Sequence, residues 1–150
     1  MKKLLIVTGP QGSGNHLFAR LFSLHENVIG WESLHEKYWV PSDQEPFARF
    51  WVHPEELTKE HFERGDYFCA NVSVPFFFDG ERQTPKIKEV AMRAFELGVM
   101  PIIAVIVRDR NINELQQVRV GGECTMDTAL EYYKDMAVHF IEHEAFFLYK

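Results

Sequence analysis

Leu4-Leu5-Ile6-Val7-Thr8-Gly9-Pro10-Gln11-Gly12-Ser13-Gly14-Asn15-His16-Leu17-Phe18 is the stretch whose reading decides the fold. Leu4 to Thr8 is a short, unbroken, aliphatic-rich run, the pattern of a strand buried on both faces of a sheet. Glycines follow at positions 9, 12 and 14, and then Leu17, Phe18, Leu21, Phe22 and Leu24 recur at helical spacing. That spacing predicts a helix from Gly14 to Leu24 with one apolar face. Strand, glycine-rich turn and helix in immediate succession open an α/β unit.

Outward from this unit the alternation continues. Tyr67 to Val74 reads as a second strand, ended by Pro75, and Phe76-Phe77-Phe78 with Asp79-Gly80 leads into a turn. Thr84-Pro85 predicts a helix start, with Thr as cap and Pro at the first helical position. Ile87, Val90, Ala91, Ala94 and Phe95 line its buried face, and Gly98 closes it. Ile102 to Val107 is the clearest strand, running directly into Arg108-Asp109-Arg110. A short helix is expected over Ile112 to Val118, broken by Gly121-Gly122. Thr128 and Glu131 have capping-box spacing for a last helix whose buried face runs from Ala129 through Tyr133 and Met136 to Phe140 and Ile141. Ala145 to Tyr149 is expected as a final strand. Between the first two strands, Glu26 to Trp51 has no sustained period and is read as an irregular excursion in which Trp31, Trp39 and Trp51 wall an acceptor pocket. Pro54-Glu55-Glu56 resembles the first turn of a helix stopped at Gly65. The expected fold is α/β: a P-loop-type three-layer α/β/α arrangement with a mainly parallel central sheet, one domain over residues 1–150.

The 150 residues are 46% apolar, enough for one core. Acidic residues outnumber basic ones 22 to 16, and no basic run exists, which argues against a nucleic-acid partner. An anionic ligand must then be held by a local pocket. Cys69 and Cys124 stand in no metal-ligand spacing and are expected to be reduced thiols. The apolar run after Met1-Lys2-Lys3 is too short for a secretory start, and no stretch has the length of a membrane span. A cytoplasmic protein with no membrane partner is expected.

Gly9 to Gly14 has the Gly-x-x-x-x-Gly spacing of a P-loop, in which main-chain N–H groups converge on a phosphate and the following helix adds its positive end. Nucleotide hydrolysis needs Lys and then Ser or Thr after the last glycine. Here those places hold Asn15 and His16, which supply neither a fixed positive charge nor a good magnesium ligand. Asp109, at a strand end, is a candidate magnesium-orienting carboxylate only if such a Ser/Thr partner existed. His139 and His143 lie one helical turn apart, a zinc-competent spacing, but no third ligand is evident and no metal is expected.

Val-Thr-Gly-Pro-Gln-Gly-Ser-Gly-Asn-His-Leu-Phe, followed about ninety residues later by Ile-Val-Arg-Asp-Arg-Asn, resembles the sulfotransferase family. The resemblance implies a P-loop fold that moves a sulfonate from 3′-phosphoadenylyl sulfate to a hydroxyl or amine without a metal. It implies that Gly9, Gln11, Gly12, Ser13, Gly14, Asn15 and His16 hold the 5′-phosphosulfate. Arg108 would hold the 3′-phosphate, with Gln116 at the position of the family's second phosphate-binding residue, a Ser. Asn15 replaces the usual Thr, Gln11 or Gly12 the usual basic residue, Arg110 the usual Pro and Gln116 that Ser. The family also has a late basic cofactor-binding segment that residues 1–150 do not include.

Sulfonate transfer needs a base for the acceptor's proton. His16, fixed at the loop, heads the catalytic candidates, followed by Glu32, His35 and Glu36 in the Trp-rich excursion. The partners expected are a nucleotide and a small-molecule or peptide acceptor. Two rivals stand beside this reading. One is a nucleotide or nucleoside kinase using ATP and magnesium, with Arg110 and Arg119 as phosphate clamps. The other is a degenerate P-loop module that binds without turnover.

Overall fold

The computed structural model describes residues 1–37, 40–119 and 125–143. Lys2–Pro10 forms β1 and is followed by α1 (Asn15–Ser23) and the two-residue β2 (Val28–Ile29). Then come β3 (Tyr67–Val74), the β4–β5 hairpin (Phe76–Phe78, Glu81–Gln83), α2 (Ile87–Glu96) and β6 (Val99–Val107). The described chain ends with α3 (Arg110–Arg119), α4 (Met126–Tyr133) and β7 (His139–Glu142). Five strands make one sheet in the order β2-β3-β1-β6-β7, and each neighbouring pair is parallel.

β1 is central because both of its faces find helices. Leu4 and Ile6 point into the cluster that α2 and α4 cover with Ile87, Val90, Ala94, Ala129 and Tyr133. Val7 points the other way, onto Phe18 and Ala19 of α1 with Cys69 and Ile106. Helices on both faces of a parallel sheet are the arrangement expected from the alternation of elements. From β1 the chain goes out to β2 and returns through β3. It then crosses to the other side of β1 for β6 and moves outward to β7. The chain therefore leaves the adjacent strands β1 and β6 in opposite directions, opening a crevice at their carboxyl ends.

Three expectations are corrected. Residues 54–65 make no α-helix but two 3-10 turns, Pro54–Glu56 and Lys59–Phe62, the second closed by a reciprocal Thr58–His61 cap. The extended backbone at Leu57 and Thr58 lets both Leu57 and Phe62 drop into the core, which a continuous helix starting at Pro54 would not do. The last helix starts after Thr125, not Thr128, and stops at Tyr133, so His139, Phe140 and Ile141 lie on β7. Pairing with β6 at Ala104, Val105 and Ile106 outweighs the helical spacing there, at the expense of leaving Phe140 exposed. α2 begins at Ile87, after a Lys86 cap, so Thr84-Pro85 precede the helix instead of opening it. The excursion from Glu26 to Trp51 is mostly irregular as expected, with β2 and three short 3-10 turns inside it. The expected strand over 145–149, Gly121-Gly122, Cys124 and Trp39 lie outside the described residues. Among the described residues no helix is long and apolar enough to cross a membrane. Cys69 is buried, and burial together with the nearby Glu45 pushes its thiol up to about 12, so it stays protonated.

Candidate functional site

Four residues join β1 to α1, and the three glycines of the stretch are each required for a separate reason. A Cβ on Gly9 would overlap Ser13 Oγ and stand 2.8 Å from the Ile106 carbonyl oxygen. Gly12 and Gly14 hold φ values of 79° and 90°, where an L side chain is strained. A Cβ on Gly12 would also press on Gln116 at 3.0 Å, and one on Gly14 would meet the His143 ring at 2.6 Å. Ser13 N–H donates to the Pro10 carbonyl at 3.1 Å and tightens the turn. Gly14 is the N-cap of α1 and has no side chain to cap with. The N–H groups of Asn15, His16 and Leu17 have no intrahelical acceptor and carry the helix's partial positive charge. Such an end can hold an anion or another oxygen acceptor.

α3 braces the turn with amides. Asn113 Nδ2 donates to the Gln11 carbonyl, Gln117 Nε2 donates to the same oxygen at 2.8 Å, and Gln117 Oε1 accepts from Thr125 N–H at 2.9 Å. Asn113 and Gln117 are fully buried, and Gln116, on the same helix face, lies next to Gly12, where an added Cβ would meet it. Arg108, at the end of β6, donates from Nη1 to the Gly12 carbonyl at 3.2 Å. Arg108 and Gln116, the residues expected at the 3′-phosphate, thus both stand beside the turn. Asp109 Oδ1 accepts from Ile112 N–H at 3.1 Å, capping α3. Arg110 is drawn outward by Glu114 at 2.6 Å and Asp127 at 2.7 Å and does not reach the turn. The Arg119 side chain is outside the described set.

Asn15 is turned into the sheet. Its amide donates to Asn71 Oδ1 and Ser73 Oγ, both at 3.0 Å, so the position a hydrolytic P-loop gives to Lys is occupied by a buried latch onto β3. β2 pairs with β3 only at Tyr67 and Phe68, which leaves the edge of β3 beyond them in need of partners. Glu45 supplies one. Its carboxyl accepts from Asn71 N–H at 3.3 Å, Phe47 N–H at 2.8 Å and Trp51 Nε1 at 3.3 Å. Burial pushes this carboxyl up to about 8, with the three N–H donors pulling it back.

Of the candidate bases only His16 stands at the turn. Burial pushes its imidazole down to about 4, so it is neutral at physiological pH, and its ring lies 5.5 Å from that of Trp31. His35 bonds Ser23 Oγ at 3.0 Å, at the far end of α1 and about 12 Å along the helix from the turn. Glu32 pairs with Arg64 at 3.1 Å on the surface, and Glu36 is exposed. Trp51 is a core residue. His139 is on β7 and His143 just past it, so the helical spacing assumed for them does not exist. Asn71, Ser73, Asn113, Gln117 and Glu45 had no signal in the sequence, since polar residues are read as solvent-facing until a neighbour buries them. No protein-family model and no curated protein matches the chain.

Proposed function

We propose that this chain is a sulfotransferase-like P-loop domain whose Gly9–His16 turn binds the 5′-phosphosulfate of 3′-phosphoadenylyl sulfate. The observation that carries the reading is the turn's place at the β1–β6 crevice, braced by Arg108 and α3, with Asn15 facing the sheet. In that arrangement main-chain N–H groups are the anion's ligands, and Asn15, bonded to Asn71 and Ser73, is turned away from a magnesium-bound triphosphate. In the transfer step the acceptor's hydroxyl oxygen bonds to sulfur while the sulfur–oxygen bond to the nucleotide breaks. The acceptor's proton goes to neutral His16, and 3′-phosphoadenosine 5′-phosphate leaves. Calorimetric titration with that product is the test: binding of equal strength with and without magnesium is expected. No binding in either condition, or binding of ATP only with magnesium, overturns the reading.

A second reading, a binding module without turnover, is favoured by the low basicity of His16, far below the neutral value that suits a general base. A sulfonate-transfer assay over a panel of alcohols and amines separates the two, because the module binds the nucleotide and releases no product from any acceptor.

A further inference from the structure

Helix α2 carries two large apolar side chains on its outer surface. Met92 is 56% exposed and Phe95 60%, although helical spacing groups Phe95 with the buried Ile87, Val90, Ala91 and Ala94. Beside them, between α2 and residues 135–137, lies a cleft of about 470 Å³ floored by Pro101 and Ile103 of β6. The sheet register accounts for the cleft. β7 pairs with β6 only from Ala104 onward, so among the described residues nothing pairs with the first half of β6 on that side. An exposed apolar patch beside a cleft marks a place where another molecule binds.

The order of residues along α2 points to one kind of molecule. Lys88, Ala91, Met92 and Phe95 all border the cleft. Their i, i+3, i+4, i+7 spacing is that of a hole receiving a knob from a facing helix, and Ala91, the smallest of the four, makes the hole deep. Met92 stands midway between opposite charges, Lys88 one turn before it and Glu96 one turn after. Lys88 has no ion pair among the described residues, and Glu96 has only the neighbouring Arg93 at 3.3 Å. Positive, apolar, negative is a pattern complementary to its own reverse. A two-fold axis at Met92 runs a second α2 antiparallel to the first, with Met92 of each over the other's hole and Lys88 of each against Glu96 of the other. Pro101 lies six residues, about 20 Å, before the end of β6, so this face is away from the turn and stands whatever the turn binds.

We infer that the outer face of α2 and its cleft form the interface of a two-fold homodimer, with Met92 at the axis and two Lys88–Glu96 pairs across it. A ten-residue helix is about 15 Å long, so the face falls short of the about 800 Å² per partner of a standard interface, and the dimer is a weak one. Sedimentation velocity of the native chain from about 1 to 200 µM at physiological salt is the test, and a rise from the monomer value toward the dimer value is expected. Lys88→Glu and Glu96→Lys should each weaken association at least tenfold, because each sets like charges together twice across the axis. The double variant, Lys88→Glu with Glu96→Lys, should return to within threefold of the native chain, since the exchanged charges face one another again. The exchange also suits the helix dipole of α2, so melting temperature should be maintained. A folded double variant no tighter than the single ones overturns the inference, as does a native dimer indifferent to both single substitutions. A native chain that stays monomeric throughout overturns it too, and uptake of the neutral dye Nile red by that monomer then assigns the cleft to a small apolar ligand instead.

Discussion

Gly9→Ala is the substitution for which the geometry gives the sharpest expectation. The new methyl would overlap Ser13 Oγ and lie 2.8 Å from the Ile106 carbonyl oxygen, against the 3.4 Å at which ordinary contact begins. Ser13 has no accessible surface. Ile106 belongs to β6, whose pairing with β1 runs in register up to Thr8↔Val105, so its carbonyl retreats only if the two central strands part. Overpacking of this kind costs about 1–3 kcal/mol, and the backbone partner puts this case at the upper end. For a chain of this size that is a fall in melting temperature of about 6–12 °C. Gly98→Ala is the control, because it has φ 83° and nothing within 4 Å. It should show backbone strain alone, about 1 kcal/mol. Denaturant unfolding of the two variants, with Ser13→Ala added to Gly9→Ala, makes the assay complete. The double variant should recover part of the loss, a coupling of about 1 kcal/mol between residues in contact. The packing described for the turn is refuted if Gly9→Ala is no worse than Gly98→Ala, or if Ser13→Ala adds to its cost.

Glu45 and His16 give stability opposite pH dependences. With its carboxyl raised to about 8, folded Glu45 holds a proton that the unfolded chain releases near 4.5, so stability falls as pH rises between those values, by at most about 1.4 kcal/mol per pH unit. His16, lowered from 6.5 to about 4, makes stability fall as pH drops through that window, so above pH 6.5 only the Glu45 slope remains. Denaturant unfolding between pH 6.5 and 8 should show the decline in the native chain and not in Glu45→Gln. Asn15→Lys should destabilise by about 2–4 kcal/mol, since it exchanges two amide hydrogen bonds for a buried ammonium, and a phosphate-release assay should detect no gain of magnesium-dependent ATP hydrolysis. Arg108→Ala removes the donor to the Gly12 carbonyl; calorimetry should show nucleotide affinity falling at least tenfold with little change in melting temperature.

The parallel sheet was legible because β1, β3 and β6 are largely buried apolar runs, and burial on two faces leaves its mark on most residues of a strand. The turn was legible because Gly9, Gly12 and Gly14 answer to steric rules that act within a few residues. β7 was not, since His139 to Glu142 owes its extended form to an open edge of β6 distant in sequence. α3 was placed within two residues at its start and one at its end, yet its role was hidden. Asn113 and Gln117 look like solvated helix positions, and only the Gln11 carbonyl above them makes them structural. Glu45 is the same case: a surface-type residue buried because β2 ends after two residues.

α3 lies with its amides inward, while Ile112, Leu115 and Val118 face solvent. Its attachment therefore depends on directional hydrogen bonds to Gln11 and Thr125 more than on removal of apolar area from water. Detaching it uncovers little hydrophobic surface, so the heat-capacity change of that opening is small and its free energy nearly flat with temperature. In hydrogen exchange α3 should behave as a separate cooperative unit that opens below the global unfolding free energy, while β1, β3 and β6 exchange only through complete unfolding. The same property makes α3 more sensitive to urea, which competes for amide partners, than its place beside the turn suggests.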